Sequence, residues 1–225
     1  MSRAVKSELL SRLFAAYSRN LIRRKFNSLR ANGFSQLVNA TSRLPLIIYC
    51  NHSSWWDGIV VFQLMRLAKL DGFILMEERQ YDHYPLFKKF GALPISRENP
   101  RRGLSDLKSA ARVLCERRSS ALAIFPQGEI FNTLSRPLKF ETGIGRLVKF
   151  TGDCDTISLG MRFQFGSDFK PEVFARFGER RSFRSGAVLP AKTLTEELRR
   201  DLAKNLDNLN ESIATGALSE FERLL

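Results

Sequence analysis

Histidine is scarce in this chain, two in 225 residues. One of them lies in Asn51-His52-Ser53-Ser54-Trp55-Trp56-Asp57, a stretch whose residue types and spacing suit proton transfer. The apolar run Leu46-Ile47-Ile48-Tyr49-Cys50 before it reads as a strand, and Ile59, Val60, Phe62, Leu64, Met65 and Leu67 after it recur at helical spacing. His52 is therefore expected on a strand-to-helix turn, at the edge of a sheet where ligands bind. If the turn folds His52 back on Asp57, the carboxylate accepts the Nδ1 proton, fixes the tautomer and frees Nε2 to take a proton from a hydroxyl. Two other readings stay open at this stage. Ser54 and Asp57 match a capping box, and His52 could be a buried, satisfied core histidine. Cys50 adds a third, a thiol nucleophile two residues from the histidine on the same strand face, although a cysteine inside an apolar run is more often inert.

The elements that must hold this turn alternate. Short apolar segments at Phe73 to Met76, Ala92 to Ser96, Ala121 to Phe125, Thr156 to Phe165 and Glu172 to Phe177 read as strands. Pro85 to Phe90, Leu104 to Arg117, Gly143 to Phe150 and Thr193 to Ile213 read as helices, the last with a Thr193/Glu196 capping box. Such alternation predicts an α/β domain, a mixed and largely parallel sheet flanked by helices, over residues 41–225. Residues 1–40 are expected to form a basic, amphipathic helical segment ahead of it. The first 30 residues carry eight basic side chains, among them Arg12, Arg19, Arg23, Arg24 and Lys25, against the single acid Glu8. Leu10, Phe14, Tyr17 and Leu21 form an apolar stripe beside them, the pattern of a helix lying in a membrane interface or of an ordinary helix packed on the domain. Asn32-Gly33 is a helix stop in this reading, and residues 41–45 a short connection into the first strand.

With 44% hydrophobic residues the chain can bury a good core and is not disordered. Its three cysteines, odd in number and widely spaced, fit a reducing compartment and no disulfide. No run approaches the 18 or more apolar residues of a spanning helix, and no apolar leader precedes a small-residue cleavage site, so no membrane crossing is expected. The net charge of +13 points to an anionic partner. No recognised nucleic-acid motif accompanies it, which turns the expectation away from nucleic acid. His83 and scattered acids form no metal-ligand set.

Three further stretches end predicted strands and carry polar groups that could converge on His52. Arg97, followed by Arg101 and Arg102, offers a fork of donors suited to phosphate, or is simply a solvated charge. Phe125-Pro126-Gln127-Gly128-Glu129 ends a strand in a glycine that lets backbone approach a ligand. Arg136 and Lys139 belong to a cationic segment that opens the helix at Gly143.

Taken in order, Asn-His with an Asp five residues on, Gly91 to Arg97, Phe-Pro-x-Gly at Phe125, and the Lys139-Phe140 segment resemble the glycerolipid acyltransferase family, the lysophosphatidate acyltransferases and their relatives. The resemblance spans about residues 45 to 165, and the ordered conjunction is more specific than any one motif. It implies that His52 is the general base, Asp57 its orienting partner, and the reaction an acyl transfer from acyl-CoA or acyl carrier protein to a lysolipid hydroxyl, with 1-acyl-glycerol-3-phosphate the expected acceptor and the hydroxyl of a glycolipid, isoprenoid or carotenoid glycoside the alternative. It implies that Arg97 contacts the acceptor's phosphate and that Phe125, Pro126, Gln127, Gly128 and Glu129 shape the acceptor site. No metal or resident cofactor is implied. Backbone donors of the Asn51 to Ser54 turn are expected to stabilise the oxyanion. The basic surface would hold the enzyme peripherally on an anionic bilayer, at the cytoplasmic face. The chain departs from the family's pattern at Gln127, where a Glu is usual, at Glu129, where a Thr is usual, at Gly58 in place of proline, and in its last block, Ile157 to Met161. The catalytic motif therefore transfers more directly than the acceptor.

Overall fold

The computed structural model describes residues 6–38, 44–186 and 189–225. The chain runs α1 (Glu8–Lys25), β1 (Leu29–Asn32), α2 (Ser35–Val38), β2 (Leu46–Cys50), α3 (Trp56–Leu67), β3 (Asp71–Glu77), α4 (Glu78–His83), α5 (Leu86–Phe90), β4 (Ala92–Ile95), α6 (Pro100–Cys115), β5 (Ser120–Ile124), α7 (Gly143–Thr151), β6 (Cys154–Gln164), β7 (Glu172–Phe177), β8 (Arg181–Phe183), α8 (Ala191–Thr215) and β9 (Glu222–Arg223).

All described strands join one sheet in the order β4-β3-β5-β2-β6-β7-β1-β9, with β8 on β6. The five strands from β4 to β6 are mutually parallel. β7 turns antiparallel to β6, β1 runs parallel to β7, and β9 closes that edge antiparallel. This is the mixed, largely parallel α/β sheet that the alternation predicts. Its centre explains the uninterrupted apolar runs. β2 and β5 are buried at every position, because helices cover both faces of a parallel sheet. Leu46, Ile48 and Cys50 point to the side covered by α1 and α3, whereas Ile47 and Tyr49 point to α6, α7 and α8.

α8 supplies the longest apolar seam, with Leu194, Leu198, Leu202, Leu206 and Leu209 all fully buried. Each contributes roughly 1.5–3 kcal/mol of gross burial. Its start differs from the sequence reading. Leu194 N–H already bonds to Pro190 O at 3.0 Å, so the helix opens before Thr193, and Glu196 pairs with Arg199 and Arg200 instead of capping.

The N-terminal segment differs as well. α1 stops at Lys25, and Leu29-Arg30-Ala31-Asn32 is a strand in the sheet, its Leu29 and Ala31 fully buried and the two polar residues half-exposed. Alternation of period two overrode helix continuation there. Gly33, with φ +72°, turns the chain out of this strand rather than ending a helix. The connection expected at residues 41–45 lies mostly outside the described residues.

Candidate active site

The turn that carries His52 begins where β2 leaves the sheet. Asn51 is buried, and its side-chain amide bonds the backbone of Met161 on neighbouring β6 in both directions: Nδ2 donates to Met161 O at 3.0 Å and Oδ1 accepts from Met161 N–H at 2.7 Å. The next residue is held by its backbone. His52 N–H donates to Gln127 Oε1 at 2.8 Å, and His52 O accepts from Phe131 N–H at 2.8 Å. The imidazole stacks on Phe125, ring centroids 4.5 Å apart, and keeps 23% of its side chain accessible.

Asp57 sits in the first turn of α3 with no exposed surface. Its Oδ2 accepts from His52 Nδ1 at 2.9 Å, Ser53 N–H at 2.6 Å and Ser54 N–H at 2.8 Å. Burying a carboxylate is costly unless donors compensate, and two backbone amides with the helix N-terminus do so here. The capping and catalytic readings of Asp57 thus describe a single geometry. A carboxylate that caps the turn is the same one that fixes the imidazole tautomer, leaving Nε2 as the basic nitrogen. The opposite oxygen, Oδ1, is buried and has no hydrogen-bond partner among the described residues.

Ser53 and Ser54 donate their amides to Asp57, and His52 donates its own to Gln127, so these three N–H groups are not available to an oxyanion. That corrects the expectation for the turn. Cys50 is also set apart. It is fully buried, and burial followed by the nearby Asp57 carboxylate pushes its thiol well above the ordinary range, so it stays protonated and unreactive.

A cavity of about 540 Å³ opens in front of His52. Its polar end collects residues at the carboxyl ends of four adjacent parallel strands: His52 after β2, Glu77 ending β3, Arg97 after β4, and Phe125, Pro126, Gly128 and Glu129 after β5. Ligands of open α/β sheets bind along this edge. Gly128 has φ +76°, and a Cβ there would stand 2.9 Å from the Arg97 Cζ. Glycine thus permits the guanidinium to lie across the turn, where Arg97 Nη1 donates to Gly128 O at 2.7 Å. The inner end is apolar. Ile59, Ile74 and Leu75 line it, and Phe14, Phe62, Phe87 and Phe90 close it, with Phe14 and Phe90 stacked at 4.2 Å.

Other expected site residues lie elsewhere. Gln127 is buried behind the turn and is not part of the cavity lining. Arg136 staples its own loop, donating to Thr133 O, Ser135 O and Asp207 of α8. Lys139 is exposed and outside the cavity lining. The sequence reading missed Glu77, Glu141, Trp55 and the aromatic end. Glu77 had a signal, since it ends a strand on the same edge as Arg97. Phe14 had none, because its seat depends on how α1 crosses α3 and α5. Among the described residues no group of three or more His, Cys, Asp or Glu could hold a metal.

A histidine paired with a buried aspartate at the carboxyl edge of an α/β sheet, facing a cavity with an apolar end, is an arrangement that can take a proton from a hydroxyl beside an apolar arm. The family model described as Acyltransferase matches residues 33–161, more than half of the chain, and the protein belongs to that family of O-acyltransferases, the glycerolipid acyltransferases. A comparison with curated proteins gives no match. Among solved structures, the X-ray structure of the Legionella pneumophila ATPase DotB is similar at 8% identity and a TM-score of 0.35, over 76% of this chain and 56% of that one, a likeness too slight to carry an argument.

Gln127 makes a first test. Gln127→Leu removes the acceptor of the His52 N–H and is expected to cost about 1–3 kcal/mol of stability, with a fall in kcat and little change in acceptor preference. Gln127→Glu keeps an acceptor oxygen there and should retain the wild-type acceptor profile. A changed acceptor profile with unchanged kcat would show instead that residue 127 contacts the acceptor.

Proposed function

We propose that this enzyme transfers a fatty acyl group from an acyl thioester, acyl-CoA or acyl carrier protein, directly to a hydroxyl of a single-chain lipid. The observation that carries the reading is the 2.9 Å contact of His52 Nδ1 with the buried Asp57, with the ring on the wall of a cavity whose far end is apolar. The acyl chain lies among Ile59, Ile74 and Leu75 towards the phenylalanines, and the thioester carbonyl sits near Nε2. Nε2 takes the acceptor's hydroxyl proton as the oxygen attacks the carbonyl carbon. The tetrahedral intermediate then expels the thiolate with cleavage of the C–S bond, and the imidazolium returns the proton to sulfur. Arg97, the cation of the cavity lining, is the candidate donor to the oxyanion or to the acceptor head. Lysophosphatidate, the acceptor implied by the sequence resemblance, would set its phosphate beside that guanidinium.

The aromatic end gives the test. Phe14→Ala and Phe90→Ala each open the closed end of the cavity, and the ratio of kcat/KM for longer over shorter acyl donors is expected to rise about tenfold, the scale at which one methylene is discriminated. Competition between labelled acyl-CoA species of graded length measures it. An unchanged length preference in both folded variants would remove the acyl chain from this cavity.

We also propose that α1 lays the enzyme on an anionic bilayer. No helix of the described residues is long and apolar enough to cross a membrane. The stripe expected from the sequence is divided: Phe14 and Leu21 pack inward while Tyr17 faces out, and Leu9 and Leu13, outside that stripe, join Tyr17 as side chains 60% or more exposed. Inward contact is partly polar. Ser11 and Ser18 are fully buried, and Gln63 Nε2 of α3 donates to Ala15 O and Ser18 Oγ, both at 2.5 Å. Arg19, Arg23, Arg24 and Lys25 are exposed and form no ion pair among the described residues. Exposed apolar side chains flanked by free cations are the composition of an interfacial helix.

A further inference from the structure

The charges lining the cavity bear on the acceptor's head. Glu77 at the end of β3, Glu129 beyond β5 and Glu141 ahead of α7 line it, against Arg97 as the one lysine or arginine of the lining among the described residues. None of the three carboxylates makes an ion pair or a side-chain hydrogen bond among the described residues. Part of the guanidinium fork is occupied as well, since Nη1 donates to Gly128 O. The other two cationic residues of the acceptor-side motifs, Arg136 and Lys139, are outside the lining. A phosphomonoester, carrying close to two negative charges, would meet one partly occupied guanidinium and an excess of like charge.

We infer that the acceptor hydroxyl belongs to a lipid with an uncharged, hydroxyl-rich head of the sugar type, not to a phosphate-bearing lysolipid. This rests on the acyl-transfer reading above and names its second substrate. Ionised carboxylates are acceptors only, and the groups that satisfy several of them without adding charge are hydroxyls. The free N–H groups of Arg97 meet ring or hydroxyl oxygens in the same way. Trp55, three residues from His52 in the same turn, lines the cavity and stays exposed, giving a flat aromatic face against the apolar side of a ring. Three acids cannot take the place of a phosphate clamp, but they can hold and orient a polyol so that one hydroxyl reaches His52.

The test uses the full chain, an acyl-CoA and the same acyl group on acyl carrier protein as donors, and three acceptors presented in uncharged vesicles: a long-chain alkyl glucoside, lysophosphatidate and lysophosphatidylcholine. The wild type is expected to acylate the glucoside with a kcat/KM at least about tenfold above either phospholipid, a difference worth 1.4 kcal/mol. Glu129→Gln/Glu141→Gln, which keeps side-chain shape, is expected to raise KM for the glucoside and to narrow or reverse its advantage over lysophosphatidate. Glu77→Gln alone should move the same ratio in the same direction. Preference of the wild type for lysophosphatidate or lysophosphatidylcholine overturns the inference while leaving acyl transfer standing, and so does an unchanged acceptor ratio in the folded variants. Absence of transfer to all three acceptors with both donors overturns the acyl-transfer reading and this inference with it.

Discussion

Replacing His52 by alanine is expected to lower acyl transfer by a factor on the order of 10² to 10⁴, the range that a positioned general base supplies. The fold should survive. The imidazole is partly exposed, and Asp57 Oδ2 keeps both backbone donors when it is removed. Asp57→Asn should be nearly as severe for a different reason. One oxygen, Oδ2, serves Ser53, Ser54 and His52 Nδ1 together, so an amide oxygen in its place can still accept from all three while the NH₂ takes the position of the buried Oδ1. What is lost is the carboxylate's negative charge, which supports the imidazolium that forms when Nε2 takes the hydroxyl proton. Because the two residues act as a unit, the double variant should be little worse than either single one. Kinetics of the three variants, with far-UV circular dichroism to verify folding, would check this. Losses that simply add would mean that Asp57 acts independently of His52.

The second large effect concerns the bilayer. Leu9→Asp/Leu13→Asp is expected to weaken binding to anionic vesicles by on the order of 10² to 10⁴, since each leucine returned to water forfeits roughly 1.5–3 kcal/mol. Folding should be unaffected, because both side chains point away from α3 in the free protein. Arg19→Glu/Arg23→Glu should weaken binding too, and more at low than at high ionic strength, as a screened surface attraction requires. Vesicle sedimentation at two salt concentrations separates the two contributions. Full-strength binding by the leucine variant would place the membrane face elsewhere.

Much of this was legible because the central strands and their sequels are locally specified. Leu46 to Cys50 could only be a buried strand, and the His-to-Asp spacing matches one turn of chain leading into a helix. What escaped was set by tertiary context. β1 is four residues with two apolar side chains, and its partner β7 comes more than 140 residues later. Glu196 had the spacing of a cap, but Pro190 begins α8 earlier and the carboxylate found Arg199. At the site, a motif names residues without saying which way they face. Gln127 and Glu129 are two apart after one strand, yet the turn at Gly128 sends Gln127 under His52 and Glu129 into the cavity. The apolar end joins side chains from α1, α3 and α5, which no local pattern connects.

The central claim is that His52 moves a proton during direct transfer, with no acyl group resting on the protein. Rapid-quench single turnover tests it: enzyme in excess over labelled acyl-CoA, lipid acceptor present, and the label followed in thioester, protein and lipid product. The expected result is label passing from thioester to lipid without a protein-bound fraction at any time, at a rate that collapses in His52→Ala. Label accumulating on the protein ahead of the product, or equal transfer by folded His52→Ala, would contradict it.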